Sequence, residues 1–410
     1  MANDLKTNDL AAKVAVVSLK ERMPFIRQMK KLEGDLFSKV KGSKPGESVR
    51  LPQPARFTVR TGDAMVPQNI IQPHVTLTML SLKGVDVEIT DRQWELEVAD
   101  FKMEVVDKKM DSLAANLESL FMQLATLATA NSIGTPGTNP NSMLTFGQAR
   151  RDILNHGAPS ADLSVILPTD PMATLVNANQ SLQNPSGEIS KEFRQGFITR
   201  AAGFKWFETT SEHRHTTGAY AGDTPLVNGA SQSGASLITN GWSSDTIQEG
   251  DVFWIENVFG VHPQNRTSTG IPQRFVVTQT VSSSGNAATL SISPSIKGPG
   301  DPHQNVNALP ANDAVIVFQG STVASAVQNP STATSQGLAF HPEAFRSVFL
   351  PLETHRNAEV SQMATDPDTG ISVRIWQDGD IRNGSRLCRI DVLGGFVATY
   401  PELAERIFCA

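Results

Sequence analysis

Between Val106 and Leu127 the chain carries Val106, Met110, Leu113, Leu117, Leu120, Leu124 and Leu127 at alternating spacings of four and three, one continuous apolar stripe on a helix. No other feature restricts the fold as strongly. A helix from Asp107 to Ala130 spans about 36 Å at 1.5 Å per residue, and its stripe needs cover along that whole length. Thr90 and Asp91 are capping residues, Thr90 with Gln93 has capping-box spacing, and Asn131-Ser132-Ile133-Gly134-Thr135-Pro136-Gly137 is a clear stop. The stripe covers under four heptads and lacks regular flanking charges, so a coiled coil is disfavoured. A long helix laid across a sheet is expected.

The surroundings of the stripe are mixed. Phe57-Thr58-Val59 and Val75-Thr76-Leu77-Thr78-Met79 alternate with the period of a strand around the turn-rich Arg60-Thr61-Gly62-Asp63, predicting a long hairpin within 48–90. A lone hairpin is marginal in water, so this one is expected to lie on its own body or on a neighbouring chain. Thr145 with Gln148, and Gly157 as a stop, predict a helix over 145–156. Val165-Ile166-Leu167 reads as a short strand and Asp170-Pro171 as the start of another helix. Near the end, Cys388, Ile390 and Val392 alternate with Arg389 and Asp391 as a strand with one buried face. Gly394-Gly395 is expected to break it, with Phe396-Val397-Ala398-Thr399-Tyr400 continuing and Pro401 opening a helical turn. The class is α+β.

Composition changes abruptly at residue 219. Residues 219–335 hold 3 Lys+Arg and 7 Asp+Glu, so 10 charges fall in 117 residues against 66 in the other 293. Strand-like runs at 252–255, 275–281, 289–292 and 315–318 recur without a helical stripe, and Ser284-Gly285-Asn286 makes a hairpin turn between the second and third. A small sandwich or barrel, inserted through turn-rich ends with few contacts across the boundary, is expected.

The net charge of −6 is uneven: residues 1–60 hold 13 Lys+Arg against 6 Asp+Glu. Within them Leu10, Val14 and Val17 predict an amphipathic helix over 8–22, on an arm that either meets an anionic partner or is simply solvated. No apolar run reaches the length of a membrane span and no signal peptide is expected. Two cysteines, Cys388 and Cys409, exclude a disulfide scaffold and a four-cysteine zinc site, and fit a reducing cytoplasm.

Catalytic chemistry finds no footing. No glycine-rich segment has the lysine and following helix of a phosphate loop, and Gly229-Ala230-Ser231-Gln232-Ser233-Gly234 has the wrong spacing for a nucleophile elbow. His213-Arg214-His215 could face a metal, yet no cysteine or acid sits at ligand spacing and a polar surface loop is the better reading. Asp366-Pro367-Asp368-Thr369-Gly370 lacks the frame of a calcium loop and reads as a turn. No catalytic, cofactor or metal residues are expected.

Three stretches carry a resemblance. Gly384-Ser385-Arg386-Leu387-Cys388-Arg389-Ile390 with Val397-Ala398-Thr399-Tyr400-Pro401-Glu402 is the most specific; Glu249-Gly250-Asp251-Val252-Phe253 running to Gln273-Arg274-Phe275-Val276-Val277, and Ala202-Gly203-Phe204, are the others. With the order of parts, they make the chain resemble the major capsid proteins of tailed double-stranded-DNA phages, and more narrowly the P22-like coat proteins. The resemblance implies an HK97-type capsid fold with an N-terminal arm (1–47), an extended β-hairpin loop (48–90), a peripheral domain with the spine helix (91–150), an axial domain (151–218), an inserted β-barrel domain (219–335) and return strands (336–410). It also implies a structural protein, not an enzyme, without cofactors. This protein would assemble with itself into the hexamers and pentamers of an icosahedral shell. A scaffolding protein and a portal would take part, packaged double-stranded DNA would lie on the inner surface, and no membrane would be involved. Assembly would take place in the host cytoplasm through a procapsid that expands, and the product would be the virion capsid. Arg60, Asp63 and Asn69 on the extended loop become candidate inter-subunit contacts, and Lys30, Lys31, Lys39 and Lys41 candidate interior-facing residues of the arm. An encapsulin-like compartment shell on the same fold is the alternative, and a β-domain binding protein a lesser one.

Overall fold

The computed structural model describes residues 22–32, 48–60, 62–65, 67–90, 100–178, 200–243, 245–323, 325–327, 330–355, 360–366, 369–381 and 384–410. The chain divides into two compact units: Met1–Leu51, His74–Phe121 and Phe345–Thr399 in the first, and Pro52–Pro73, Met122–Ala344 and Tyr400–Ala410 in the second. Four α-helices lie in the described residues: α1 (Pro24–Gln28), α2 (Asp100–Ala128), α3 (Met143–Asn155) and α4 (Thr169–Ala178).

The first unit is built on an eight-stranded sheet around the 14-residue strand Ser385–Ala398. This strand changes partners along its length. Its first half pairs with Lys83–Thr90 and Ser372–Asp380, its second with Phe345–Leu350 and His74–Met79. The expected break at Gly394-Gly395 is absent. A Cβ at Gly395 would stand 2.9 Å from Met79 Sδ and 3.0 Å from Val348 Cγ1, so the glycines let neighbouring side chains close over the strand rather than interrupt it. Thr90 is the last residue of a strand, not a helix cap; Asp91 and Gln93 lie outside the described residues. Asp391, on the nominally open face, is fully buried because Arg374 (2.6 Å) and Arg389 (2.7 Å) close over its carboxylate.

The 29-residue α2 confirms the long helix. Its buried residues begin as the stripe predicts, with Met110, Leu113 and Leu117, and then shift to Phe121, Met122 and Ala125, while Leu120, Leu124 and Leu127 are half-buried. A 3.5-residue repeat drifts by about 20° per heptad on a straight helix, which turns the later leucines off the packed face. Phe121 stacks on Phe349 at 5.9 Å and meets Phe396 edge-on at 5.7 Å; Phe396 stacks on Phe345, which meets Phe25 of α1 edge-on at 5.9 Å. These aromatics tie residues 23–32 into the unit. Met23, Phe25, Ile26, Met29 and Leu32 are buried, and Lys30–Lys31 form a two-residue strand parallel to Arg346–Ser347. Residues 23–32 of the expected arm are therefore core, because their apolar side chains outweigh their charges; the helix expected over 8–22 falls almost wholly outside the described residues, as do 33–47.

In the second unit, a seven-stranded sheet runs Ser132–Ile133, Ala404–Phe408, Ala333–Phe340, Ser164–Pro168, Phe204–Thr209, Arg200–Ala201, with His213–Thr216 also pairing Ala333–Phe340. Helices α3 and α4 cover it, with Phe146, Ile153, Met172, Leu175 and Trp206 in the core. The cap of α3 is Ser142, whose Oγ accepts the Leu144 N–H at 3.2 Å, three residues before the expected start at Thr145. Residues 219–335 hold a six-stranded sheet ordered Leu226–Val227, Gly234–Asn240, Ala287–Ile296, Ser268–Val277, Val252–Val261, Ile316–Phe318. The first and last of these strands meet through the Leu226–Val315 bridge. Phe253, Ile255, Phe275, Leu290, Ile292 and Phe318 form this sheet's own core.

Candidate assembly surface

The segment between the strands Ser48–Pro52 and His74–Met79 is an irregular extension rather than a ladder. The two strands pair at the base, and the Gln53 N–H donates to the Pro73 carbonyl at 2.8 Å. Beyond that no strand continues through Phe57-Thr58-Val59. Pro52, Pro54, Pro67 and Pro73 have no N–H to give, which removes donors from both rails. One side chain replaces the missing rungs: Gln68 Oε1 accepts the Thr58 N–H at 2.8 Å, and Gln68 Nε2 donates to the Thr58 carbonyl at 2.6 Å. At the tip, Arg60 donates to the Gly62 carbonyl and Gly62 sits at φ +102°. Within the second unit the extension is held by Arg56–Glu402 (3.4 Å) and by His303 Nε2 on the Ile71 carbonyl (3.2 Å).

Arg60, Asp63 and Asn69 are all exposed on this extension. The sequence reading expects the apolar surface of this hairpin to be covered but gives Phe57 and Val59 to a strand and does not single out Met65 or Ile70. Val59 is 94 % exposed, Met65 81 %, Ile70 76 % and Phe57 55 %. The signal was present as apolar residues in a proline-rich stretch, but alternation gave it to a strand. Lys30 and Lys31 are exposed on their short strand; Lys39 and Lys41 lie outside the described residues.

Buried ionisable groups stand elsewhere. Glu118 of α2 is fully buried and accepts the N–H groups of Phe25 (2.6 Å) and Ile26 (3.4 Å). Burial pushes its carboxyl up to about 8, against the lowering effect of those two donors. Glu405 is likewise fully buried and held well above the carboxylate range by burial, with Arg274 and Arg151 opposing that shift. His213 is pushed down to about 4, burial first and Arg406 second. Contrary to the surface-loop reading, His213–Thr216 is a strand, and the buried His215 pairs with Asp251 at 3.0 Å. Asp366 accepts the Thr369 N–H at 2.8 Å, as the turn reading expects. Cys388 and Cys409 are free and buried, and burial pushes Cys409 up to about 12. Among the described residues no group of three or more His, Cys, Asp or Glu could hold a metal, and no helix is long and apolar enough to cross a membrane.

Residues 2–408 match the family described as P22 coat protein, gene protein 5. The chain belongs to the P22 coat protein family. It is a structural major capsid protein of a bacteriophage, not an enzyme; it self-associates and forms the virion shell. No curated protein matches it in sequence. Among solved structures, one from Mycobacterium phage Che8 is 11 % identical with a TM-score of 0.47, covering 94 % of this chain and 91 % of that one. The capsid of the cyanophage P-SCSP1u is 12 % identical with a TM-score of 0.45, covering 89 % and 84 %. The coat protein I-domain of CUS-3 is 26 % identical with a TM-score of 0.20 and covers 25 % of this coat protein and 99 % of its own chain.

Proposed function

We propose that this coat protein closes its shell by laying the extension Pro52–Pro73 on a second copy of the chain. The observation that carries the reading is the set of apolar side chains at Phe57, Val59, Met65 and Ile70, which the described residues of the same chain leave in water. Exposed apolar surface of this kind is expensive for a lone subunit and favourable once covered. Arg60, Asp63 and Asn69 supply polar contacts around it. In this reading the fold is of the HK97 type, residues 219–335 are an inserted barrel domain, and the remaining boundaries fall at 47, 90, 150 and 218. The supports are the separate core of the six-stranded sheet and the Leu226–Val315 bridge between its edge strands.

The basic segment through Lys30, Lys31, Lys39 and Lys41 faces the interior and meets scaffold or DNA, since positive charge on an otherwise acidic chain is drawn to a polyanion. Hexamers and pentamers, a scaffold-assisted procapsid that expands, a portal, and assembly in the host cytoplasm complete the proposal. Deleting Arg60 to Asn69 tests its centre: a soluble, folded subunit that no longer closes shells is expected, read by sedimentation and negative-stain microscopy. Normal shell yield from the deletion overturns it, and lysines of the arm found on the outer surface of a shell overturn the interior assignment.

A further inference from the structure

Two chain crossings, at 217–219 and 330–333, join the six-stranded sheet to the seven-stranded one, and a module on two short crossings is by default free to reorient. The residues around them oppose that freedom. Asp251, just ahead of strand Val252–Val261, is buried, and its carboxylate is shared between the two sides. Oδ1 takes His215 Nε2 at 3.0 Å, while Oδ2 accepts the N–H of Gly218 at 3.1 Å and of Gln248 at 2.9 Å. Arg406 reaches the adjacent residue from strand Ala404–Phe408. Its fully buried guanidinium donates to the Gly250 carbonyl at 2.9 Å, to Gln336 Oε1 at 2.8 and 3.2 Å and to the Thr129 carbonyl at 3.5 Å. Between them Gly250 sits at φ +94°, so close to the body that a Cβ would stand 2.6 Å from Leu127 Cδ2 and 3.1 Å from the His215 ring.

We propose that Arg406 and Asp251 are positioning residues that lock the six-stranded sheet in one orientation on the seven-stranded sheet, so that the two move as one piece. Buried charges of opposite sign contribute little net stability, but they penalise every pose in which either loses its partners. A rotation at the crossings would strand a guanidinium and a carboxylate at once. The apolar part of the contact, Ala130, Val252, Val276 and Phe408, is small and would tolerate sliding; the directional bonds would not. That this lock serves the shell rests on reading 219–335 as an inserted domain, since only a fixed domain presents the same face to each neighbour.

The test is hydrogen exchange by mass spectrometry on the full chain carrying Asp251→Asn, Arg406→Met or Arg406→Lys. Arg406→Lys keeps the charge but loses the fork, which guards against a variant that fails to fold. Segments 217–219 and 248–252 are expected to exchange about tenfold faster or more, as local opening does when its holding contacts go, with a smaller factor for the lysine variant. Strands Ala287–Ile296 and Ser164–Pro168 keep wild-type protection, and the yield of closed shells falls. Unchanged exchange in those two segments overturns the proposal, as does a uniform rise across both sheets, which marks a merely stabilising role. Expressing 219–335 alone separates this from the domain reading: a disordered NMR spectrum would sink the domain while leaving the local exchange result standing.

Discussion

The extension and the crossing region invert the usual placement of side chains in opposite ways. The extension holds Phe57, Val59, Met65 and Ile70 in water, whereas the crossing buries Arg406 and Asp251. Exposed apolar groups cost the lone subunit and are recovered when something covers them; buried ions cost the folded subunit and are tolerable only in one geometry. The first region is thus unfinished until another chain arrives, and the second is finished before it does. A shell subunit needs both: a rigid body to fix angles, and an incomplete surface to make association favourable.

The largest effect is expected where that contrast is abolished. Phe57→Asp with Ile70→Asp removes two of the four most exposed apolar side chains of the extension and puts a charge on each rail. Shell closure is expected to be lost, while monomer stability changes by no more than about 0.5 kcal/mol, as for exposed substitutions generally. Sedimentation gives the first and urea denaturation the second. A large loss of stability with shells retained would mean that these residues serve their own chain.

Buried charge gives the next effect, through pH. Glu118 has a folded-state value of about 8 against 4.5 in the unfolded chain. Below pH 4.5 the carboxyl is protonated in both states and has no effect. Between 4.5 and about 8 the unfolded chain releases the proton and the folded chain keeps it, so stability falls as pH rises and levels off above 8. The total loss is on the order of 5 kcal/mol at 1.36 kcal/mol per unit. Glu118→Gln keeps an acceptor for the Phe25 and Ile26 N–H groups and removes the titration. The stability difference between the variant and the parent is expected to widen from pH 5 to pH 8 in denaturant titrations. Because Glu405 titrates in both proteins, its contribution cancels, and parallel curves would refute the assignment to Glu118.

A smaller effect distinguishes tight backbone from free backbone. Gly250→Ala puts a methyl against Leu127 and His215 at φ +94° and is expected to cost about 2–4 kcal/mol, from left-handed strain plus overpacking. Gly222→Ala, at φ +84° with nothing within 4 Å, bears the strain alone and is expected to cost about 1–2 kcal/mol. Equal losses in thermal melts would mean that the body does not press on Gly250.

What was legible in the sequence follows the same division. The stripe of α2 and the strands within 219–335 were readable because each buries an alternating or periodic face against a continuous core. Their details were lost where packing geometry takes over, as when α2 turns Leu124 and Leu127 off the packed face in favour of Phe121 and Ala125. The crossing was illegible because Asp251 finds His215 36 residues away and Arg406 finds Gly250 156 residues away, and charged residues read as surface until both partners are in view. Met23, Phe25 and Ile26 were overlooked for the opposite reason, since the lysines around them drew the eye to an arm. On the extension, the strand preference of Phe57-Thr58-Val59 was overruled by four prolines, and Arg60, Asp63 and Asn69 are exposed beside apolar side chains that alternation alone assigns to a strand.

The smallest expected effect concerns the single side chain that shapes the unfinished region. Gln68 makes two hydrogen bonds to Thr58 and no ladder replaces them. Both are exposed, so water competes for each partner, and Gln68→Ala is expected to cost the monomer about 0.5 kcal/mol or less. The consequence for association is larger than that figure suggests. Without the Gln68 brace the two rails, one carrying Phe57 and the other Ile70, are free to separate. The conformational entropy then has to be lost during docking instead of during folding. The critical subunit concentration for shell formation is expected to rise by about two- to fivefold, corresponding to roughly 0.4–1 kcal/mol per subunit, while Gln68→Glu, which can still accept from the Thr58 N–H, is expected to fall between the two. Light scattering over a concentration series measures the shift. An unchanged critical concentration in Gln68→Ala would show that the extension takes its shape from the neighbour it meets, and that the brace matters only to the free chain.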